Sequence, residues 1–556
     1  MPQKPPLATN DTYATCRVPS HKTLGGGHFA ALYSAEHVAG GEFVIGVAFA
    51  TWGASAFDVL AGLMLGNLLA VLSWALVCSP IAVRARITLY YYLERLAGQG
   101  LTRYYTLLNA LIFAVIAGGM LTIAGSALNG LADAPQQTHW YPTSPIFVLS
   151  VGALGIAMVA ATLRGFASFA QLSKLFAPWL MTVFVVSGLA ALPYLWHSHP
   201  TLDGWQLLTQ VVWNNNTDSK ESLSLWQIAA FAWGLNLPLH LGMGDLSTLR
   251  FAKHKNYGYY SALAAYGGHG VAWVACGVLG ATTALLVQKP LSELDIGGVV
   301  TPILGITGTL AVVLASLTTA VPSFYRACLG FSSLFAIYRY RNIACILGVM
   351  ITIIACFPLI FLKWLNIMAY FNIALAPLGA VIACEHFVLP RFGIRPFWRE
   401  LTQKTHNYPA IIACTVGVMM AVILLATNLV QLFSVFIWVY VSTAFVYSLL
   451  AIRQAHPFRS AQSPSTLYSD AYGDETSYPI SVQTRYHRYR QPLFIGAMLA
   501  LGIMLGGSIY GFSVADPIAY RPLFQGILAS GSVLYFVCII AWHRQAYQNL
   551  WLKTTN

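Results

Sequence analysis

The sequence predicts an all-α protein that crosses a membrane many times. Of its 556 residues, 57% are hydrophobic and only 9% are charged, whereas charged residues make up about a quarter of a typical soluble domain. A helix needs about 20 apolar residues to cross a bilayer. On that criterion fourteen spans are predicted, numbered in chain order, at 30–54, 56–80, 105–131, 146–163, 172–196, 224–245, 259–287, 305–335, 343–362, 365–388, 408–430, 432–452, 491–513 and 522–542.

Lysine and arginine predict the orientation. With the N-terminus in the cytoplasm, all but five of the 30 basic residues fall on the cytoplasmic side or tail, as the positive-inside rule requires. The number of spans is even, so both termini are predicted to be cytoplasmic, in a multi-pass protein of the plasma (inner) membrane. The same asymmetry explains the net charge of +12, so the lipid bilayer is a predicted partner and nucleic acid is not. The exceptions are Lys220, Lys289, Lys363 and Arg521 outside and Arg326 within span eight.

The spans divide the chain into predicted units. The outer loop 197–223 is long enough for an external lid or a short surface helix, and the polar loop 455–488 is predicted to be flexible. The units are a cytoplasmic N-terminal tail at 1–29, a first five-helix repeat at 30–196, a second at 224–388, helices 11 and 12 at 408–452, a cytoplasmic loop at 455–490, and an appended helical hairpin and tail at 491–556.

Span one carries the first candidate site. Glu36, His37 and Glu42 surround the pair Gly40 and Gly41, and an apolar run follows at once. An ionised carboxylate near the bilayer centre costs roughly 3 kcal/mol or more, so it is retained where it faces a cavity, a partner or an ion. Paired glycines let a helix open and turn its carbonyls toward a cation. Span one is therefore predicted to be a broken helix that lines an ion and substrate site.

Span six is the second predicted break. Asn236 and Pro238 lie in its middle, and proline removes a backbone donor and clashes with the preceding turn. Trp233, Asn236 and His240 would then face the interior, although a proline kink in a membrane helix can also be purely structural. Spans one and six are five apart. This offset is the one expected of two inverted five-helix repeats whose first helices are both discontinuous.

Two further spans carry small or hydroxylated side chains. Thr318, Thr319 and Ser323 in span eight offer hydroxyl oxygens, the ligand type that hard cations take, although membrane hydroxyls also bond to their own backbone. Gly118 and Gly119 in span three permit close approach of another helix or of a flat ligand.

Two other polar pairs have both a structural and a functional interpretation. Glu385 and His386 end span ten, where an interfacial pair reaching for water is favoured over a proton relay. Asp245 and Arg250 at the inner end of span six predict a gate or a loop anchor. We find no nucleotide-binding or catalytic motif. The predicted protein is therefore not an enzyme and has no cofactor, and Na⁺ or H⁺ would be its coupling ion.

Four stretches together resemble one family, the nucleobase:cation symporters, which are permeases for cytosine, purines, allantoin, uracil, thiamine precursors and hydantoins. The resemblance lies in their order and spacing. The stretches are EFVIGVAFATWGASAFDVLAGLMLGNLLAVL (42–72), LNLP (235–238) with a following Asp and Arg, LTTAVPS (317–323) and APLGAVIACEHFVLPRF (376–392).

This resemblance implies the LeuT-type fold of two inverted five-helix repeats, with two extra C-terminal spans here. It implies uptake of a flat heterocycle among spans one, three, six and eight, driven by Na⁺ or H⁺. The sodium ligands would be backbone carbonyls near Ala39 and Gly41 and the hydroxyls of Thr318 and Thr319. The substrate would lie near Glu36, His37, Gly118, Trp233 and Asn236.

The chain also departs from the family pattern. Span three has Ala117, Gly118 and Leu121 where better-known members place an aromatic residue and an amide, and the acidic pair Glu36 and Glu42 is not typical.

The leading hypothesis is a secondary active transporter that carries a small nitrogenous, nucleobase-like compound by cation-coupled symport and alternating access. A second hypothesis keeps the fold but carries an amino acid or other zwitterion, whose amine would pair with Glu36 or Glu42. A third is a membrane sensor that no longer transports. The substrate, the coupling ion and the oligomeric state stay open.

Overall fold

A computed structural model describes residues 13, 16–214, 222–335, 337–359, 363–402, 404–472 and 491–554. Within these ranges the chain forms helices joined by turns, with three isolated bridges and no strand. The α-helices longer than three residues are α1 (Gly26–Glu36), α2 (Gly41–Thr51), α3 (Ala56–Ser73), α4 (Ser79–Ala85), α5 (Leu89–Ala97), α6 (Gln99–Leu131), α7 (Pro145–Leu163), α8 (Phe166–Ser198), α9 (Leu225–Leu235), α10 (Leu237–His240), α11 (Leu246–Leu249), α12 (Ala272–Val287), α13 (Ile296–Leu334), α14 (Tyr340–Ala355), α15 (Trp364–Ala383), α16 (Tyr408–Thr427), α17 (Val435–Gln454), α18 (Pro464–Tyr472), α19 (Gln491–Tyr510) and α20 (Pro517–Thr554).

Eleven helical segments of the described chain are long and apolar enough to cross a membrane. Spans one, six and nine fall instead on the shorter apolar helices Gly41–Thr51, Leu225–Leu235 and Tyr340–Ala355. The first two of these helices each form one half of a span that the sequence predicts to be broken. The chain is thus a multi-pass membrane protein, and the count of fourteen spans stays a prediction, as does the side on which the termini lie.

The packing of the first ten spans relates two sets of five helices. The third helix of each predicted repeat, α6 in the first and α13 in the second, pack along each other. The first helix of each repeat packs against the second helix of the other: α9 lies along α3, and α1 lies on the wide helical turn Leu263–Val271 that precedes α12. Such reciprocal contacts are expected when two repeats are related by a pseudo-twofold axis.

Helix α13 begins earlier than the predicted span eight. Its residue Gly305 has non-helical angles (φ 58°, ψ −147°), which kink the chain at the predicted start of the span. A Cβ at Gly305 would meet the side chain of Gln525 from α20 at 3.0 Å, so the kink is also where the C-terminal hairpin touches the second repeat. The segment before the kink, 296–304, is a short helix with Asp295 as its N-cap.

Asp295 holds that cap in place. Its carboxylate accepts hydrogen bonds from the Gly298 N–H, the Gln137 N–H and the Ser126 hydroxyl, each at 2.9 Å, and the side chain is buried. It therefore joins the start of α13 to the end of α6 and to the loop that follows α6.

Parts of the two long polar loops form helices. In the outer loop, Asp203 caps a helical turn at Gly204–Gln206, in agreement with a short surface helix. In the inner loop, α18 docks on the helical core: the Tyr472 hydroxyl lies 3.0 Å from His386 Nδ1 and 3.1 Å from the Tyr92 hydroxyl. The prediction of flexibility is therefore wrong for 464–472, and residues 473–490 lie outside the described chain.

The same docking corrects the interpretation of the span-ten pair. Glu385 and His386 are fully buried rather than reaching for water. Glu385 accepts hydrogen bonds from the Tyr447 hydroxyl at 2.5 Å and the Phe397 N–H at 2.6 Å. The contacts from α17 and α18 supply the partners that water would otherwise provide.

The C-terminal hairpin packs on the first repeat. Helices α19 and α20 lie against each other and against α8. Trp179 of α8 donates its indole N–H to the Ser532 hydroxyl at 2.9 Å, and the Tyr535 hydroxyl donates to the Leu175 carbonyl at 2.9 Å. The boundaries of the six predicted units remain predictions.

We predict that Asp295→Ala lowers stability strongly, because three donors lose a buried acceptor and each hydrogen bond to a charged group contributes about 1.5–3 kcal/mol. Asp203→Ala is the matched control, since Asp203 is an exposed helix cap whose loss costs about 1 kcal/mol. Thermal unfolding of the two purified variants measures the difference. Equal losses would contradict the structural role of Asp295.

Candidate functional site

Span one is interrupted in its middle, as predicted. Helix α1 ends at Glu36 and α2 begins at Gly41, and the residues between them do not continue the helix. The Glu42 N–H donates to the Ala39 carbonyl at 3.1 Å, which starts the new helix. A Cβ at Gly40 would lie 3.1 Å from the Val312 carbonyl oxygen, so only glycine lets this segment rest directly on α13.

Span six is interrupted too, over a longer stretch. Helix α9 ends at Leu235, and two short helical turns follow before Arg250. Met243 has a positive φ of 62°, and the Gly244 N–H donates to the Pro238 carbonyl at 2.9 Å. Proline therefore explains where the helix stops, and the positive φ explains why it does not resume at once.

A cavity lies where the two breaks meet. It measures about 80 Å³, below the roughly 300–1,000 Å³ of open small-molecule sites, so a ligand must be small or the walls must move apart. Its lining combines carboxyl, imidazole, amide and hydroxyl groups with apolar side chains. These residues are Glu36, His37, Ala39, Gly41, Glu42, Ile45, Phe113, Ile116, Met120, Leu235, Asn236, Leu239, His269, Thr319, Ser323, Trp364 and Met368.

Glu36 is neutralised by an arginine of α13. The Arg326 guanidinium binds both oxygens of Glu36 and also the Asp245 carboxylate, 2.7 Å away. All three side chains are buried. This triad (Glu36, Arg326 and Asp245) therefore ties the end of α1 and the break in span six to span eight.

Asp245 has three further donors. The Trp74 indole N–H lies 2.7 Å from its carboxylate, and the Tyr33 and Thr248 hydroxyls donate at 3.0 Å. A carboxylate with this many charge-assisted hydrogen bonds is well satisfied. The sequence predicts that Asp245 and Arg250 form a gate or a loop anchor. In the structure, the ion pair described for Asp245 is with Arg326.

Glu42 lies at the other end of the cavity in a different environment. The Trp273 indole N–H donates to one of its oxygens, and His269 Nε2 lies 3.6 Å from the other. His269 stacks on Trp273 with ring centroids 4.6 Å apart, and it accepts a hydrogen bond from the Asn236 amide at 3.1 Å. Within the described chain Glu42 has no lysine or arginine partner.

The threonine pair of span eight contacts the break in span one. The Thr318 hydroxyl donates to the Ala35 carbonyl at 3.0 Å, and the Thr319 hydroxyl donates to the Glu36 carbonyl at 2.6 Å. Both hydroxyls also lie near the Ala315 carbonyl.

The carbonyls beside this pair differ from those predicted. The Ala39 carbonyl accepts the N–H of Glu42, and Gly41 is already part of α2. The helix ends at Glu36, three residues before Ala39. The oxygens that face span eight therefore come from the last turn of α1.

Four predicted binding residues lie outside the cavity lining. Gly118 faces Ile351 of α14, where a Cβ would meet the side chain at 3.4 Å, and Gly119 faces the ring of Trp364. Trp233 donates to the Ser73 hydroxyl at 2.9 Å. His240 Nε2 lies 3.1 Å from the Trp233 carbonyl, with its ring against Trp74.

These four residues therefore have packing contacts in this structure, while Glu36, His37, Glu42 and Asn236 come together around the cavity.

Three residues at the site carried no role in the sequence interpretation. Arg326 could have been found, because a lone arginine within an apolar span is costly and marks a functional or ion-paired position. His269 and Trp273 are four apart in span seven, which puts them on one helical face. The sequence does not mark this face as functional, because the acidic partner of both residues, Glu42, lies 227 residues or more earlier in the chain.

Comparison with known proteins places this geometry in a recognised fold. No family model matches the chain, and no curated protein sequence matches it. Mhp1, described as a nucleobase-cation-symport-1 family transporter in a closed conformation with bromovinylhydantoin bound, aligns with a TM-score of 0.59 at 14% identity, over 82% of this chain and 98% of Mhp1. The inward-facing conformation of Mhp1 gives the same TM-score at 15% identity, over 85% and 98%.

A Na⁺-coupled sialic acid symporter in a substrate-bound, outward-open state gives a TM-score of 0.52 at 13% identity, over 82% of this chain and 93% of the symporter. The chain has the LeuT fold. Structural similarity at such low sequence identity establishes the fold alone, so the function has to be argued from the site.

We predict that Arg326→Met destabilises the protein by about 3–5 kcal/mol, the cost of leaving buried carboxylates without their cation. Arg395→Met is the control, because Arg395 pairs with Glu400 at a partly exposed position where an ion pair contributes about 0–1 kcal/mol. Thermal unfolding of the purified variants measures both effects.

The triple change Glu36→Gln, Arg326→Met and Asp245→Asn removes the uncompensated charges and should recover much of the lost stability. If Arg326→Met were no worse than Arg395→Met, the triad would not hold the two breaks together.

Proposed function

We propose that this protein is a secondary active transporter that couples the downhill entry of a cation to uptake of a small nitrogenous compound. The observation that carries the proposal is the meeting of two interrupted helices at one buried, charged cavity. Interrupted helices expose backbone carbonyls and amides at mid-membrane, where they bind ions and substrate while the surrounding helices rock.

Sodium is the proposed coupling ion. Around the last turn of α1, the carbonyls of Ala35, Glu36 and Ala315 and the hydroxyls of Thr318 and Thr319 bring neutral oxygens close together. Sodium binds oxygen ligands of this kind. The triad, with two carboxylates and one guanidinium, adds a negative potential close by. The ion would therefore bridge span one to span eight and stabilise one arrangement of the two repeats.

The proposed substrate lies in the cavity between spans one and six. Phe113, Met120, Trp364 and Met368 would contact a flat body, and the polar groups at the Glu42 end would orient it. A nitrogen heterocycle of nucleobase type fits this combination of apolar and polar groups. The structurally similar transporter Mhp1 has a nitrogen heterocycle, bromovinylhydantoin, bound.

The cellular setting is part of the proposal. The charge asymmetry of the loops supports a plasma (inner) membrane location with both termini in the cytoplasm. Substrate would then enter from outside and be released to the cytoplasm, with the sodium gradient setting the direction.

Reconstitution tests the function directly. Proteoliposomes with an inward Na⁺ gradient should accumulate labelled cytosine, hypoxanthine or hydantoin above the equilibrium level, and equal Na⁺ on both sides should abolish the accumulation. Accumulation of amino acids instead would keep the transport mechanism and change the substrate to a zwitterion. If a ligand that binds is accumulated under neither Na⁺ nor H⁺ gradients, the protein is a sensor and the proposal is wrong.

We predict that Thr318→Ala with Thr319→Ala weakens the apparent Na⁺ affinity at least tenfold, or about 1.4 kcal/mol, because two of the proposed oxygen ligands are removed. The measurement is the Na⁺-dependent rise in melting temperature, with K⁺ as the reference cation.

The control is Thr415→Ala with Thr427→Ala, an exposed pair on α16 whose hydroxyls bond to carbonyls four residues earlier. This variant should respond to Na⁺ as the native protein does. An unchanged sodium response in the Thr318 and Thr319 variant would rule out the proposed ion site.

A further inference from the structure

We propose that the substrate is a small organic cation, and that Glu42 binds its charged N–H donors. This inference rests on the proposed transport function and specifies the chemical class of its substrate. It is carried by two observations: the hydrogen-bonding groups left over at the Glu42 end of the cavity, and the lack of a lysine or arginine partner for Glu42 in the described chain.

The groups left over at this end are acceptors. His37 contacts the Tyr33 carbonyl through Nδ1, at 3.3 Å, which places its proton there, and Nε2 is buried with no partner in the described chain. The Asn236 amide nitrogen donates to His269, so the group that Asn236 keeps for a ligand is its amide oxygen, an acceptor. Together with the Glu42 carboxylate, these groups offer hydrogen-bond acceptors to a ligand. They therefore select a ligand that has hydrogen-bond donors.

Glu42 also lacks a cationic partner within the described residues. Arg326 neutralises Glu36 and Asp245 in part, and the proposed sodium site adjoins that triad. Glu42 has only an indole N–H and a histidine beside it in the described chain. An ionised carboxylate that is buried without a cation is costly in the membrane interior, so an ion pair with a positively charged ligand would stabilise the ionised form of Glu42.

The neighbours of Glu42 favour an organic cation over a second metal ion. Sodium prefers oxygen ligands, whereas the side chains beside the carboxylate are those of Trp273 and His269. The ring of His37 lies next to that of His269, with centroids 5.6 Å apart. Rings and imidazole acceptors suit an ammonium or amidinium group. The apolar side of the cavity, with Met120, Trp364 and Met368, would contact the uncharged part of such a molecule.

Two matched pairs of probes test the charge. Benzamidinium and benzamide have nearly the same shape, as do benzylammonium and benzyl alcohol, but only the first of each pair is a cation. With the purified full-length protein in NaCl, the cation of at least one pair should raise the melting temperature, with an apparent affinity at least tenfold higher than that of its neutral partner.

Three variants locate the effect. Glu42→Gln should abolish the preference for the cation while keeping the melting-temperature rise with Na⁺, which also shows that the variant is folded. Glu42→Asp should keep the preference with lower affinity. Glu400→Gln removes a partly exposed acid distant in sequence and should leave the response unchanged.

The outcomes separate this inference from the transport proposal. Equal or tighter binding of the neutral probes, no response to either cation, or an undiminished cation preference in Glu42→Gln would overturn the inference. Sodium-dependent binding of uncharged uracil or hypoxanthine in its place would leave the symporter intact with a neutral substrate. Loss of all sodium dependence in the native protein would instead remove the transport proposal on which the inference rests.

Discussion

The structure depends on one constraint: backbone groups in a bilayer must be satisfied within the protein, yet two helices stop halfway across it. Specific contacts stabilise each break. Gly40 lets the opened segment of span one lie on the backbone of α13, and the Pro238 carbonyl regains a donor from Gly244. Because the breaks are adjacent, the polar groups that each one frees face a common cavity. The candidate site is therefore a consequence of the two interruptions rather than an addition to a finished bundle.

Charge organises that cavity into two ends. At one end the guanidinium of Arg326 joins Glu36 and Asp245, so that α1, the break in span six and α13 form one connected unit. At the other end Glu42 is held by Trp273 and faces His269 from span seven. A ligand can shift a conformational equilibrium only through its different affinity for the two states. A sodium ion between α1 and α13 and a cation at Glu42 would each strengthen contacts across the boundary between moving elements, which is what coupling of their movements requires.

Much of this arrangement could be predicted from the sequence, because its causes are local. Hydrophobic length gave most spans, and Gly40, Gly41 and Pro238 marked the two breaks at the offset that two inverted repeats require. The parts that could not be predicted depend on distant pairings. Arg326 meets Glu36 across 290 residues, and the roles of Gly118 and Gly119 depended on which neighbours, α14 and the ring of Trp364, would face them. The predicted sodium ligands near Ala39 and Gly41 stay a prediction. The carbonyls that accept from Thr318 and Thr319 are those of Ala35 and Glu36, and this contact depends on how α1 packs on α13, which the local sequence does not reveal.

Amide hydrogen exchange of the segment between α1 and α2 tests the central claim most directly. In lipid nanodiscs with K⁺, a peptide covering residues 37–41 should exchange much faster than one within α2, because the helical hydrogen bonding is interrupted between Glu36 and Gly41, and Na⁺ should slow that exchange. Slow exchange of both peptides, with no effect of Na⁺, would show an unbroken helix without a bound ion and would contradict the account.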